Sequence, residues 1–296
     1  MVNYDDLFKA PVDKKENTEQ NASTSEWAAE QKAAREAAYA LADKTALSIS
    51  EDGKRFSEYL NVQTRFENYS STNALLILAQ LPQATSLKEE SGWIEAGHSI
   101  NENEKPISII KPGKSYQRKD ASYGNYYNVH SVYDISQTDA PVPVKASVNY
   151  DERLLLTALI SKRPVPIEMS DNIANGAVYD NEMKKIFVKK GMEGPDVFRS
   201  VSLALARAEM AQNKDGYTTD AVAFKSYCVS YMLCKKYRID VSGYDFSHMP
   251  EELKNTDEKA LRAELNEIRD TFKAISSRMD RALEQNKSKD TKTQER

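Results

Sequence analysis

Cysteine is almost missing from this chain: two residues in 296, Cys228 and Cys234. Six apart inside a helical pattern, they supply neither a disulfide framework nor a Cys-x-x-Cys metal site. Glycine is scarce as well, with 10 residues, and none falls in Gly-x-Gly-x-x-Gly or Gly-x-x-x-x-Gly-Lys-Ser/Thr. A phosphate loop for nucleotides therefore has no support. The 3 histidines, His98, His130 and His248, lie far apart, and there is no Gly-x-Ser-x-Gly elbow, so a histidine-based triad has little material. No apolar run approaches the ~20 residues that cross a bilayer. The opening MVNYDDLFKAPVDKK is acidic and polar, without the apolar core of a signal peptide, and a cytoplasmic protein without membrane contact is expected. An excess of positive charge is also lacking. Lys and Arg number 41 against 45 Asp and Glu, net −4, which argues against coating duplex DNA through bulk charge and still allows a local basic face.

What is present suits a folded α+β protein. With 40 % hydrophobic and 29 % charged residues over 296 positions, there is material for one large or two ordinary domains plus tails. Residues 1–25 are polar and expected to be disordered, apart from a short apolar patch at 4–8 suited to docking on a partner. Ser25 then caps a helix through the Ala- and Glu-rich EWAAEQKAAREAAYALADK. A second helix is expected over 53–67 with Phe56, Tyr59, Leu60 and Phe66 on one side, broken by Asn68-Tyr69-Ser70-Ser71. A third starts at Ser71 or Thr72 and is stopped by Pro82. Short strands at 93–94, 107–110 and 129–135 alternate with the turn-rich NENEKP, KPGKS and YGN, giving a small antiparallel sheet. Two prolines in APVPVKASV mark a linker, placed at 141–150, between a first domain (26–140) and a second (151–250). The second holds a helix at 152–161, an extended prolyl segment RPVPIEM, a hairpin of 176–179 with 185–189, and helices at 195–212 and 219–237. Residues 251–296 form a C-terminal helix and tail. Its Leu261, Leu265, Ile268, Phe272, Ile275, Met279 and Leu283 fall at steps of four and three, an apolar stripe for packing on the body or on a second copy.

Residues 105–133 read KPISIIKPGKSYQRKDASYGNYYNVHSVY. Lys105, Lys111, Lys114, Arg118 and Lys119 stand against the single acid Asp120, so the segment is net +4 (five minus one) in an acidic chain. Tyr116, Tyr123, Tyr126, Tyr127 and Tyr133 are interleaved. Single-strand binding needs cations to follow phosphates and flat rings on which unpaired bases stack, and both are here. Strand alternation means that Tyr126 and Tyr127 cannot share a face. The competing reading is a solvated hairpin whose tyrosines alternate between core and surface.

Several short motifs in order carry a family resemblance: FSEYL (56–60), RFENYSSTNALLILAQLPQAT (65–85), Trp93, GHSINENEKPISIIKP (97–112) and VYDISQT (132–138). Over these residues the chain resembles the N-terminal domain of the ArdC-type antirestriction proteins, a domain shared with LtrC-like conjugation-associated proteins. The resemblance implies a single-stranded DNA-binding domain. Two departures stand out: His98 follows Gly97 where the family has a basic residue, and Asn101-Glu102-Asn103-Glu104 replaces a lysine-rich turn. Fewer cations release fewer counterions, which implies weaker binding and a shallower salt slope. Tyr69, Ser70 and Asn73 read either as a polar patch joining the nucleic-acid site or as helix capping with Tyr69 as a staple. Trp93 reads as a core anchor.

Residues 208–212, Ala-Glu-Met-Ala-Gln, have the outline of His-Glu-x-x-His with both histidines gone. Val197, Val201, Ala204, Leu205, Ala208 and Gln212 fall on one stripe at ~100° per residue, so positions 208 and 212 point where ligands would point. Glu209 stands one step around, where a general base would sit. The same resemblance implies that residues 151–250 are metallopeptidase-like, zincin-like in fold, with a downstream acid, here Asp220, completing the site. The chemistry does not survive the substitution. Alanine has no donor, a glutamine amide is a poor zinc ligand, and Glu209 with Asp220 cannot hold a tetrahedral ion. Ala208, Glu209 and Gln212 are thus expected to be vestigial, with no catalytic residue, metal or cofactor. The leading expectation is a non-enzymatic single-stranded DNA-binding protein of a mobile or conjugative element, contacting DNA through Lys111, Lys114, Tyr116, Arg118, Lys119, Tyr126, Tyr127, Tyr69 and Asn73. The alternatives are a metal-dependent peptidase with ligands elsewhere in the chain, and a protein–protein adaptor using the C-terminal helix for a partner or for self-association.

Overall fold

Alanine-rich sequence nucleates the first helix, α1 (Asn17–Glu51), which begins eight residues before the expected cap at Ser25. Residues 17–25 are therefore helical rather than disordered: once a helix is nucleated, adding weak formers at its end costs far less than starting one. The computed structural model describes residues 17–117, 120, 122–141, 150–212 and 218–294, with side chains from 29 to 286. The 4–8 patch and most of the expected linker lie outside the described residues. In α2 (Gly53–Arg65) the Asp52 carboxylate accepts from the backbone N–H of Lys54 and Arg55, and Phe56, Tyr59 and Leu60 are buried. A Cβ on Gly53 would stand 1.7 Å from the Phe246 carbonyl oxygen, so only glycine lets the start of α2 meet that loop. Ser70 caps α3 (Ser71–Gln80), accepting from Asn73 N–H at 3.2 Å. Residues 74–78 of α3 are apolar all round and all buried, as a helix without a polar face must be.

β1 (Leu87–Lys88), the short α4 (Glu90–Ile94), β2 (Ile107–Gln117) and β3 (Tyr123–Asp134) follow, the strands forming an antiparallel sheet in the order β1-β3-β2. The hairpin of β2 and β3 is longer than expected. KPGKS and YGN lie within its strands instead of in turns. The outer edge of β2 is covered by two amides from α3: Asn73 pairs with both backbone groups of Ile110 (2.8 and 2.7 Å), and Gln80 with both of Ser108 (2.9 and 3.0 Å). Seven residues is about two helical turns, so both amides project from one face of α3, and the pairing removes an exposed edge. Asp134 ends β3 fully buried. Burial pushes its carboxyl up, but hydrogen bonds from the N–H groups of Ser86, Ser136 and Thr85 and the Ser136 hydroxyl outweigh this and hold it low. Trp93 is the expected anchor, buried against Ile135 and Ala140 and donating to the Tyr133 carbonyl at 2.9 Å.

After α5 (Glu152–Leu159) come β4 (Ile167–Ser170), β5 (Ala177–Asp180) and β6 (Lys185–Lys189). β5 and β6 form the expected hairpin, while the prolyl segment supplies β4 as a third strand, parallel to β6. α6 (Gly194–Gln212), α7 (Thr219–Tyr237), α8 (Glu251–Lys254) and α9 (Glu258–Gln294) complete the chain. The α+β class is as expected. All seven stripe residues of α9 are at most 2 % exposed, against α1, α3, α5, α6 and α7, so of the two expected partners the stripe takes the body of the chain. One contiguous core runs from Ala38 to Leu283, and the expected boundary near 140–150 divides the sequence without dividing that core. Polar ties follow the same route: Ser71 donates to Asn266 at 2.8 Å, Arg262 pairs with Asp43, and Lys236 bridges Glu67 and Asp280. Among the described residues no helix is long and apolar enough to cross a membrane.

Candidate nucleic-acid interface

The register of β2 and β3 decides which hairpin residues act together. Lys111 pairs with Asn128 and Pro112 with Tyr127, but the next pairs are Ser115 with Asn125 and Tyr116 with Gly124. Three steps on β2 are matched by two on β3, so Gly113 and Lys114 together oppose Tyr126, a β-bulge. Glycine suits the spot, since a Cβ on Gly113 would come within 2.9 Å of the Asn128 side chain. The extra residue resets the alternation. Without it, Tyr116, five residues after Lys111, would face the other way. With it, Lys111, Gly113, Lys114, Tyr116, Tyr126, Asn128 and His130 share one face. The Tyr116 and Tyr126 rings lie 4.5 Å apart, tilted by 39°, and are 37 % and 56 % exposed. Tyr127 and Tyr123, also exposed, occupy the opposite face, and Arg35 of α1 donates to the Tyr127 carbonyl at 3.1 Å.

The remaining expected site residues divide. Lys114 is exposed. Lys111 is half-buried and ion-paired, Nζ standing 2.7 Å from Glu89 Oε1, an oxygen also 3.0 Å from His130 Nδ1. Tyr69 is half-buried, edge-on to Phe66 at 5.6 Å, and burial raises its phenol while the nearby Lys111 charge opposes this. It is thus a staple that also borders Lys111. Asn73 is corrected: it is 4 % exposed and both ends of its amide are committed to β2, so it holds the sheet and is closed to a ligand. Arg118 and Lys119 lie outside the described residues. Glu89, Asn128 and His130 join this face without being among the residues that the sequence singles out for it. Spacing of two from Tyr126 would have flagged Asn128 and His130, whereas nothing local flags Glu89.

The second candidate stretch is at the end of α6. Ala208 is fully buried, whereas Gln212 is the last residue of the helix and exposed, with Nε2 3.4 Å from the Pro164 carbonyl. The two positions thus differ in setting: the first is closed off in the core, and the second is open to solvent beside Pro164. Glu209 is mostly buried and ion-paired with Arg278 of α9. A cleft of ≈ 480 Å³ beside it is lined by Met210 and by Ala263, Asn266, Glu267 and Asp270 of α9. Asp220 is exposed in the first turn of α7. Among the described residues no three His, Cys, Asp or Glu side chains are grouped to hold an ion, and the donor set at 208, 209 and 212 does not fit zinc. Burial raises both thiols, Cys234 to about 11, so neither is a poised nucleophile. Glu209→Gln keeps an acceptor for Arg278 and removes the charge. We expect it to cost ~1 kcal/mol of stability in denaturant melts and to leave nucleic-acid binding unchanged.

No family model matches the chain, and no curated protein matches it. Two crystal structures of the antirestriction protein ArdC from the R388 plasmid are similar to it. The metal-free one is 13 % identical over 72 % of this chain and 86 % of that one, with a TM-score of 0.48. The Mn(II)-bound one is 12 % identical over 73 % and 87 %, with a TM-score of 0.50. At such identity the likeness is one of backbone architecture alone: over about three quarters of its length the chain has a fold similar to that of the antirestriction protein ArdC.

Proposed function

We propose that this chain is a single-stranded DNA-binding protein of the antirestriction type, belonging to a mobile or conjugative element, whose second half is a peptidase-like scaffold without catalysis. The observation that carries the reading is the pair of exposed tyrosine rings, Tyr116 and Tyr126, on the same hairpin face as Lys114. Rings stack on unpaired bases of any sequence, and a neighbouring ammonium follows the phosphates. Duplex DNA hides its base faces, so preference for single strands follows from the same geometry. For the scaffold, the support is a buried alanine and an exposed glutamine at the two ligand positions, with Glu209 turned to Arg278.

The test uses the full chain and fluorescence anisotropy with 20-mer oligonucleotides. Single-stranded DNA should bind at micromolar concentration in low salt, and duplex more weakly. Lys114→Ala should flatten the plot of log K against log salt by roughly one unit at most. A folded protein that binds no single-stranded 20-mer under these conditions sinks the reading. Elemental analysis returning about one metal ion per chain, with cleavage of a casein substrate, would overturn the scaffold half of it.

A further inference from the structure

Where the hairpin leaves the body, three segments bring charge to one spot on the face that carries Tyr116 and Tyr126. Lys111 comes from β2, His130 from β3, and Glu89 from the turn between β1 and α4. A single oxygen, Oε1 of Glu89, stands 2.7 Å from Lys111 Nζ and 3.0 Å from His130 Nδ1. From Tyr126 to His130 is four strand residues, about 14 Å, with Asn128 between them on the same face.

We propose that the nucleic-acid surface extends from the tyrosine pair to Lys111 and His130, and that Glu89 is its gate: the carboxylate occupies the place that a backbone phosphate takes when a single strand binds. The proposal rests on the single-strand reading above. Three features support it. Glu89 offers to Lys111 and His130 what a phosphate oxygen offers, an anionic acceptor at hydrogen-bond distance. The pair is accessible, with Lys111 and His130 each 36 % exposed and Glu89 42 %, and exposed ion pairs exchange partners readily. Glu89 stands before the first turn of α4 but makes no capping hydrogen bond with its side chain, so the carboxylate can swing away without loosening the helix. Lys111 holds the Glu89 carboxyl below its usual range, with His130 adding to the effect, so the gate is charged at neutral pH.

The experiment compares the full-length protein with Glu89→Gln, Glu89→Gln/Lys111→Ala, and Glu95→Gln as a nearby exposed control, using the same single-stranded 20-mer across a salt series. Glu89→Gln should bind about 3- to 10-fold more tightly in low salt, with a slope of log K against log salt steeper by up to about one. Adding Lys111→Ala should abolish the gain. If the unaltered protein binds and Glu89→Gln changes neither affinity nor slope, the gate is wrong and the single-strand reading stands. An equal gain in Glu95→Gln would reduce the effect to bulk charge and also overturn the gate. Absence of binding by every variant removes both ideas together.

Discussion

Phe272→Ala is expected to lower the unfolding free energy by ~3–5 kcal/mol and to do so for the whole molecule at once. The ring is fully buried on α9, with the Lys236 ammonium 5.9 Å from its centroid. Removing it takes away the transfer energy of the side chain and leaves a cavity that packed helices close only in part. The global character follows from position. α9 touches α1, α3, α5, α6 and α7, and a single core spans them. Trp93 lies far along the chain, in the small cluster beside β3. With Trp27 replaced by Phe so that Trp93 is the one emitter, denaturant melts followed by tryptophan fluorescence and by far-ultraviolet dichroism should therefore coincide, and both should shift. A fluorescence transition left in place by Phe272→Ala would mean that the two halves fold independently, as the proline-rich stretch near 140 suggests by itself.

Tyr126→Ala should cost single-strand binding ~1–3 kcal/mol, about 5- to 150-fold in Kd, with the salt slope unchanged. The ring is 56 % exposed and carries no charge, so its loss removes stacking and leaves the phosphate contacts alone. Tyr116→Ala should act in the same direction, because the two rings are neighbours on one face. Tyr127→Ala is the internal control. It pairs with Pro112 on the opposite face and should leave affinity within experimental error. Equal losses at Tyr126 and Tyr127 would show that the hairpin binds by wrapping or by refolding, and would remove the one-face site on which both proposals rest.

Separating the gate from the stacking pair is straightforward because the two act on different observables. Glu89 and Lys111 change the number of cations available, and so the salt slope. Tyr116 and Tyr126 change affinity at constant slope.

What the sequence determined by itself is whatever rests on contacts a few residues long. Asp52, Ser70 and Thr218 cap their helices through side chains that reach N–H groups two or three positions on, and those starts were legible. So was the β5–β6 hairpin, as was the stripe of α9, whose period of 3.6 needs no knowledge of its partner. The structure decided what depends on groups distant in sequence. Asn73 reads as a surface polar residue until β2, 37 positions on, claims its amide. Nothing near Glu209 in the sequence names its partner, Arg278, which lies 69 positions on. The prolyl segment became a strand because β6 had an edge to offer. The proposed site turned on one residue: Gly113 hinted at an irregularity, but only the pairing with β3 showed a bulge that brings Tyr116 round to Tyr126 and Lys111. Alternation along a strand is a local rule, whereas a bulge is a mismatch between two strands, so no reading of one strand contains it.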